Sequence, residues 1–284
     1  MPLFPASAIF PRRTLHGPGR AADLLPACAG FGMRGILVHG RSLAAAGVIR
    51  AVLDRAPPGL AASAWQHAGG EPTLDDLNAL LETARAHRAE WIAGVGGGSV
   101  LDLAKACAGL FRAGRPPADY HRGTPVEAPA LPFAAVPATA GTGAEATPNA
   151  VLIDRAARRK ASLRADDWIA RLVILDPRLP ALCPRPVIAF AGLDALTQAL
   201  EAYISRQATA ASDALALEAL RLIGANLEPL YRGPGEEAAD GLLVGSYLAG
   251  LAFAMARLGV VHGLAHPLGV RFGLPHGHLC GACL

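Results

Sequence analysis

An α/β half followed by an all-helical half is the architecture the sequence predicts, and three features carry that prediction. Short apolar, β-rich runs alternate with helix-spaced stretches through the first 178 residues. After Pro186 the texture changes to long Ala/Leu-rich helical stretches. Two loops rich in glycine and hydroxyls, at 96–99 and 137–145, each follow a predicted strand.

The elements follow in order. Gly35-Ile36-Leu37-Val38-His39 is a compact strand ending at Gly40, and Ser42 to Arg55 has helical spacing. Thr73 begins a helix with Asp75 and Asp76 in its first turn, where the helix dipole favours negative charge. Trp91 to Val95 is a further apolar run, broken by Gly96-Gly97-Gly98-Ser99 before helical periodicity resumes through Leu101, Ala104, Lys105 and Ala108. Pro132–Pro137 and Arg171–Leu175 are further strands. Strand–helix alternation of this kind predicts βαβ units and a parallel sheet. Beyond Asp176–Pro186, helices are expected over Ile188–Ser205, Ser212–Asn226 and Glu236–Ala256. The boundary so placed gives domains at 1–178 and 179–284.

Composition narrows the class. With 52% hydrophobic and 17% charged residues, the chain can bury enough surface to offset its ordering entropy, which excludes intrinsic disorder. A net charge of +3, dispersed along the chain, does not mark a nucleic-acid or membrane partner. The apolar stretch Gly241–Ala256 is cut by Gly and Ser and falls short of a span of ~20 residues. Met1–Arg13 lacks the basic-then-apolar pattern of a signal peptide. Cys28, Cys107, Cys183, Cys280 and Cys283 are odd in number and lack a disulfide framework's spacing, so a reducing cytoplasm is expected.

Three segments carry chemistry. Gly96-Gly97-Gly98-Ser99, at a strand-to-helix hand-over, lets backbone N–H groups approach an anion at a helix N-terminus, and a dinucleotide pyrophosphate is the natural guest. The pattern Gly-x-Gly-x-x-Ser from Gly94 departs from the standard dinucleotide fingerprint, and a plain tight turn is the bland alternative. In Pro137–Glu145, Thr142 reads as a helix N-cap with Glu145 completing a capping box, alongside a phosphate-binding role. Near the end, four of the nine histidines fall between His262 and His278. His262 and His266 share a helix face at i, i+4 spacing, and two imidazoles plus a carboxylate or amide suit a divalent metal. Asp194, with Gln198 one turn later, is the carboxylate to complete the set. Satisfied, half-buried histidines are the alternative. Cys280-Gly281-Ala282-Cys283 has zinc-like spacing without a second pair and reads as ordinary helix packing.

GGGSVLDLAK (96–105), PATAGTGAEAT (137–147), GLDALTQALEAY (192–203) and VHGLAHPLG…PHG (261–277) occur in this order, and together they resemble the signature segments of the iron-containing (group III) alcohol dehydrogenase family. The resemblance covers nearly the whole chain. It implies a dinucleotide-binding N-terminal α/β domain, a helical C-terminal domain of dehydroquinate synthase-like fold, and a metal in the cleft between them. It also implies reversible alcohol oxidation to an aldehyde or ketone with NAD(P), in a homodimer. Carried over by motif, Gly40, Gly96, Gly97, Gly98, Ser99, Thr139, Thr142 and Lys160 would bind the cofactor. Asp194, Gln198, His262 and His276 fall on metal-ligand positions, and His266 on a catalytic histidine near the nicotinamide.

Three departures qualify the resemblance. Gln198 stands where the family has histidine; an amide oxygen is a weaker, harder donor, so zinc rivals Fe2+ as the metal. Gly40 stands where NAD-preferring relatives often carry an acid, and Arg41 beside it can pair a 2′-phosphate, so NADP(H) is expected to be favoured. Family members continue with further helices past the position of Leu284, which points to a C-terminally truncated chain with apolar surface exposed. Two alternatives follow: a metal-independent enzyme resembling maleylacetate reductase, and a nucleotide-binding remnant without activity.

Overall fold

The computed structural model describes every residue except Pro234 and the side chains of His266 and Val270. Packing divides the backbone into two compact units. One comprises Pro11–Pro137 and Pro148–Leu175; the other comprises Met1–Phe10, Ala138–Thr147 and Asp176–Leu284.

The first unit runs β1 (Thr14–His16), α1 (Leu24–Cys28), β2 (Arg34–Gly40), α2 (Arg41–Ala45), α3 (Val48–Leu53), β3 (Ala61–His67), α4 (Leu74–Ala86), β4 (Trp91–Gly96), α5 (Gly98–Leu110), α6 (Pro117–His121), β5 (Phe133–Pro137), β6 (Asn149–Asp154), β7 (Arg159–Arg164) and β8 (Leu172–Leu175). Six strands pair in parallel in the order β1-β8-β5-β4-β2-β3, while β6 and β7 form a separate antiparallel pair. The strands β4, β5 and β8 are buried at every position. That explains why their sequences are unbroken apolar runs rather than alternating ones. From β2 the chain lays β3 to one side and then β4 to the other. The reversal of strand order therefore falls between β2 and β4, which pair through Gly35–His39 and Trp91–Val95.

Local chemistry sets the helix limits. Thr73 caps α4, accepting from the Asp76 amide while Asp76 accepts from the Thr73 amide. The single helix expected over Ser42–Arg55 is instead α2 and α3, split at Gly47, whose φ of 76° lies in the left-handed region. Strand β3 escapes an apolar-run search because it is an edge strand, partly exposed along most of its length with polar Ser63, Gln66 and His67 among its residues.

The second unit contains α7 (Arg185–Tyr203), α8 (Ala210–Arg232), α9 (Glu236–Ala256), α10 (Val260–Phe272) and α11 (His276–Cys283). Helix α8 outruns the expected end at Asn226, passing through Pro229. Small residues let these helices approach closely: Ala202, Ala216, Ala252 and Ala256 form one buried cluster, flanked by Leu215 and Phe253. The segment Ala138–Thr147 joins this unit because its backbone is held by it. Ser246 donates to the Gly141 carbonyl at 3.2 Å and Cys183 to that of Ala138 at 3.2 Å. Gly143, at φ 58°, packs so tightly on α9 that a Cβ there would lie 2.7 Å from Gly250 Cα. Helix α9, at 21 residues, is long and apolar enough to cross a membrane by length and composition, more than the interrupted stretch within it suggests. Half of its most apolar window is buried in the unit.

Candidate active site

Helix periodicity places Asp194, Gln198 and Glu201 of α7 at i, i+4 and i+7, on one buried face. Glu201 receives the start of α10: one carboxylate oxygen accepts from the Val261 amide at 2.7 Å, and the other lies 2.6 Å from His262 Nδ1. His262 thereby presents Nε2 to Asp194 Oδ1, 3.2 Å away. Helix α11 opens with His276, whose Nε2 lies 3.7 Å from the same Asp194 oxygen. One turn later Cys280 places Sγ 3.6 Å from His276 Nε2 and 3.8 Å from His262 Nε2. One ligand atom from each of Asp194, His262, His276 and Cys280 lies within 4.8 Å of the others.

The electrostatics favour a charged cluster. Burial opposes ionisation of Asp194, yet the hydrogen bond with His262 and the nearby His276 and His262 rings hold its carboxyl below the usual carboxylate range. Burial likewise opposes charge on His262, and the hydrogen bonds and negative potential of Asp194 and then Glu201 outweigh it, raising its pKa. Burial, followed by the Asp194 charge, pushes the Cys280 thiol up.

Of the sequence-predicted ligands, Asp194, His262 and His276 are therefore brought together. Gln198 is buried on the same helix face as Asp194, with Oε1 left without a hydrogen-bond partner. The backbone of His266 lies in α10, one turn after His262, and its side chain is outside the described residues. Cys280, read from the sequence as packing, is instead in the cluster; its signal was the i, i+4 spacing from His276. Cys283 packs beside the apolar group of Val261, Ala265, Leu279 and Cys280. Glu201 was missed as well, although its i+7 spacing from Asp194 put it on the same face. A carboxylate, two imidazoles and a thiol, with an orphaned amide oxygen nearby, are a donor set that suits a divalent transition metal.

In the α/β unit, Gly40 ends β2 and Gly96 ends β4, at the carboxyl edges of the strands that flank the reversal in strand order. In open α/β sheets this is where ligands bind. Gly97, in extended backbone without a side-chain cap, leads into α5, whose first residues are Gly98 and Ser99. Gly96 is fixed by packing, since a Cβ there would lie 2.7 Å from Val100 Cβ, whereas at Gly40 the nearest atom would be 3.8 Å away. Lys160 on β7 is largely buried: its side chain is only 9% exposed and pairs with Glu71 at 2.5 Å. Within the same unit, buried Lys105 donates to the Asn149 carbonyl at 2.7 Å, and Asp102 accepts the Val151 amide at 3.0 Å.

Thr139 and Thr142 belong to the helical unit. Thr139 lines a small apolar cavity with Ala140, Cys183, Ile188 and Leu242. The capping box expected at Thr142 and Glu145 does not form. A three-residue 3-10 turn, Ala144–Ala146, starts instead from Gly143, and Thr142 accepts a long 3.4 Å bond from the Ala144 amide. The left-handed backbone at Gly143, needed for its contact with Gly250, shifts the start by one residue.

Comparison with known proteins covers both units. A family model described as iron-containing alcohol dehydrogenase matches residues 11–177, and one described as the C-terminal part of the Fe-containing alcohol dehydrogenase family matches 188–284. A probable alcohol dehydrogenase, EutG, of Escherichia coli K12 is 36% identical over 271 residues, covering 94% of this chain and 68% of the relative. The lactaldehyde reductase of Escherichia coli K12 is 34% identical over 248 residues, covering 86% of this chain and 64% of the relative. The chain thus spans about two thirds of each. Sulfoacetaldehyde reductase from Bifidobacterium kashiwanohense, solved in complex with NAD+, superposes with a TM-score of 0.92 at 30% identity over 97% of this chain and 74% of that one. A 1,3-propanediol oxidoreductase superposes with a TM-score of 0.92 at 29% identity, over 98% and 73%.

Proposed function

The chain belongs to the iron-containing alcohol dehydrogenase family, and from that premise we propose that it interconverts an alcohol and an aldehyde or ketone by hydride transfer with NAD(P). The observation that carries this reading is the convergence of His262 Nε2 and the half-buried His276 Nε2 on the buried Asp194 Oδ1. A divalent metal, Fe2+ or Zn2+, supplies Lewis acidity when bound, stabilising negative charge on the substrate oxygen. Asp194, His262 and His276 would hold it, with Gln198 as a weaker oxygen donor; three protein ligands are a common set in catalytic sites. Glu201 keeps the Nδ1 proton of His262 occupied, so Nε2 is free to ligate. His266 relays the alcohol proton towards solvent.

For the cofactor, the amides of Gly96, Gly97, Gly98 and Ser99 take the pyrophosphate and Lys160, in the same unit, lines the nucleotide site; Thr139 and Thr142 are assigned as further cofactor-binding residues by motif. The NAD+ complex of the sulfoacetaldehyde reductase supports a nicotinamide dinucleotide as the hydride carrier. Gly40 in place of an acid, with Arg41 beside it, supports a preference for NADP(H). We assign the activity to a cytoplasmic homodimer: five unpaired thiols support a reducing compartment, and dimers among look-alikes support the assembly.

The test is metal analysis of anaerobically purified protein, paired with NADPH titration and an aldehyde panel. Near-stoichiometric metal that is lost in His262→Ala, with NADPH-dependent aldehyde reduction, is the expected result. Nucleotide binding without metal or turnover would favour the metal-independent or inactive alternatives.

A further inference from the structure

We propose that Cys280 is a metal ligand, completing with Asp194, His262 and His276 a four-donor site that takes a thiolate-tolerant ion such as Zn2+. This rests on the metal-site reading above and sharpens it. The geometry points there. A tetrahedral ion bound at the usual 2.0–2.1 Å from N or O and 2.3 Å from S separates its N and O donors by about 3.3 Å and its S and N donors by about 3.6 Å. His262 Nε2 and His276 Nε2 lie 3.2 and 3.7 Å from Asp194 Oδ1, and 3.8 and 3.6 Å from Cys280 Sγ. Four edges of the tetrahedron are thus close to their ideal lengths with no movement of the backbone. A helix turn explains the placement: His276 and Cys280, at i and i+4 on α11, offer two donors from one face.

The donor chemistry agrees. Gln198 supplies an amide oxygen, a poor soft-metal ligand, from the α7 face that also bears Asp194. Sulfur from α11 replaces that weak donor with a strong one and shifts the preference from iron towards zinc. Binding displaces the Cys280 thiol proton to solvent, and the thiolate takes its place on the ion. Asp194, His262, His276 and Cys280 would together hold such an ion, which would supply Lewis acidity to a substrate oxygen.

Cobalt(II) substitution of the full chain tests this without reference to turnover. The protein is stripped with a chelator and reloaded with Co2+. A thiolate-to-cobalt charge-transfer band in the near ultraviolet is expected, lost in Cys280→Ala and Cys280→Ser and retained in Cys283→Ala. Zinc affinity of Cys280→Ala should fall by more than the roughly 10–100-fold that loss of an outer-shell partner costs. Absence of the band in the wild type overturns the proposal even where a variant fails to fold, and the band in Cys283→Ala assigns it away from the neighbouring thiol. Cobalt bound with ligand-field bands alone overturns the role of Cys280 while leaving the Asp194, His262, His276 site intact. Failure to bind cobalt at all overturns both.

Discussion

Glu201 Oε2 lies 2.6 Å from His262 Nδ1, which makes Glu201 the residue that decides which ring nitrogen of His262 faces Asp194. Its second oxygen accepts the Val261 amide, so the same carboxylate also anchors the first turn of α10. Glu201→Gln keeps the size and an acceptor for the amide but weakens the pull on the imidazole proton. We expect metal affinity to fall roughly 10–100-fold in this variant, as for other outer-shell partners of ligating histidines. Chelator competition measures it; unchanged affinity would place Glu201 in the fold alone.

The contrast between what was legible and what was not runs through this helix. Asp194 and Gln198 stood out because a polar i, i+4 pair in an Ala/Leu-rich helix is conspicuous. Glu201, equally buried, carries no such signal, since its partners, the Val261 amide and His262 Nδ1, arrive from α10, some sixty residues later. Cys280 has one partner, His276, a turn earlier on α11, but the others, Asp194 and His262, arrive from α7 and α10, far away in sequence. The strands β4, β5 and β8 declared themselves as continuous apolar runs, a consequence of burial on both faces. The edge strands β1 and β3 and the hairpin β6–β7 carry no such run, since each keeps exposed or half-exposed positions. The break at Gly47 and the shifted cap at Gly143 follow from left-handed backbone at glycine, which periodicity does not reveal.

Asp102 should give the stability curve a component of unusual sign. Burial, partly offset by Lys105, raises its pKa from 3.8 to about 6. The unfolded chain therefore ionises first as pH rises, and folding stability from this group falls between about pH 4 and 6 rather than increasing. A shift of about two units corresponds to about 3 kcal/mol. Denaturant unfolding of the wild type and Asp102→Asn across pH 4–7 checks this. The difference in stability should move against the wild type by that order, and a constant or oppositely sloped difference would refute the assignment.

Gly96 and Gly40 make a matched pair for the cofactor turn. A Cβ at Gly96 would lie 2.7 Å from Val100 Cβ, an atom that cannot move without displacing the first turn of α5. Gly96→Ala should cost about 1–3 kcal/mol of stability, the usual range for overpacking. It should also weaken NADPH binding by on the order of tenfold, equivalent to about 1.4 kcal/mol. Gly40→Ala, with 3.8 Å of clearance, should be tolerated in both respects. Thermal unfolding and NADPH fluorescence titration of the two variants separate a packing requirement at β4 from a general intolerance of side chains there.

That clearance also makes Gly40 the place to test the proposed preference for NADP(H). Gly40 ends β2 with φ −86°, a backbone any residue adopts, and Arg41 follows as the first residue of α2. A carboxylate introduced by Gly40→Asp would accept from ribose hydroxyls of NADH and repel a 2′-phosphate. Hydrogen bonds to charged groups contribute about 1.5–3 kcal/mol, so the NADPH-to-NADH preference in kcat/KM should drop by roughly 10–100-fold. Arg41→Ala should lower kcat/KM for NADPH while leaving NADH little changed, because on the proposed reading only the phosphate would meet the guanidinium. If both variants leave the ratio where it was, the 2′-position of the ribose does not sit at the end of β2, and the selectivity must come from another part of the nucleotide site.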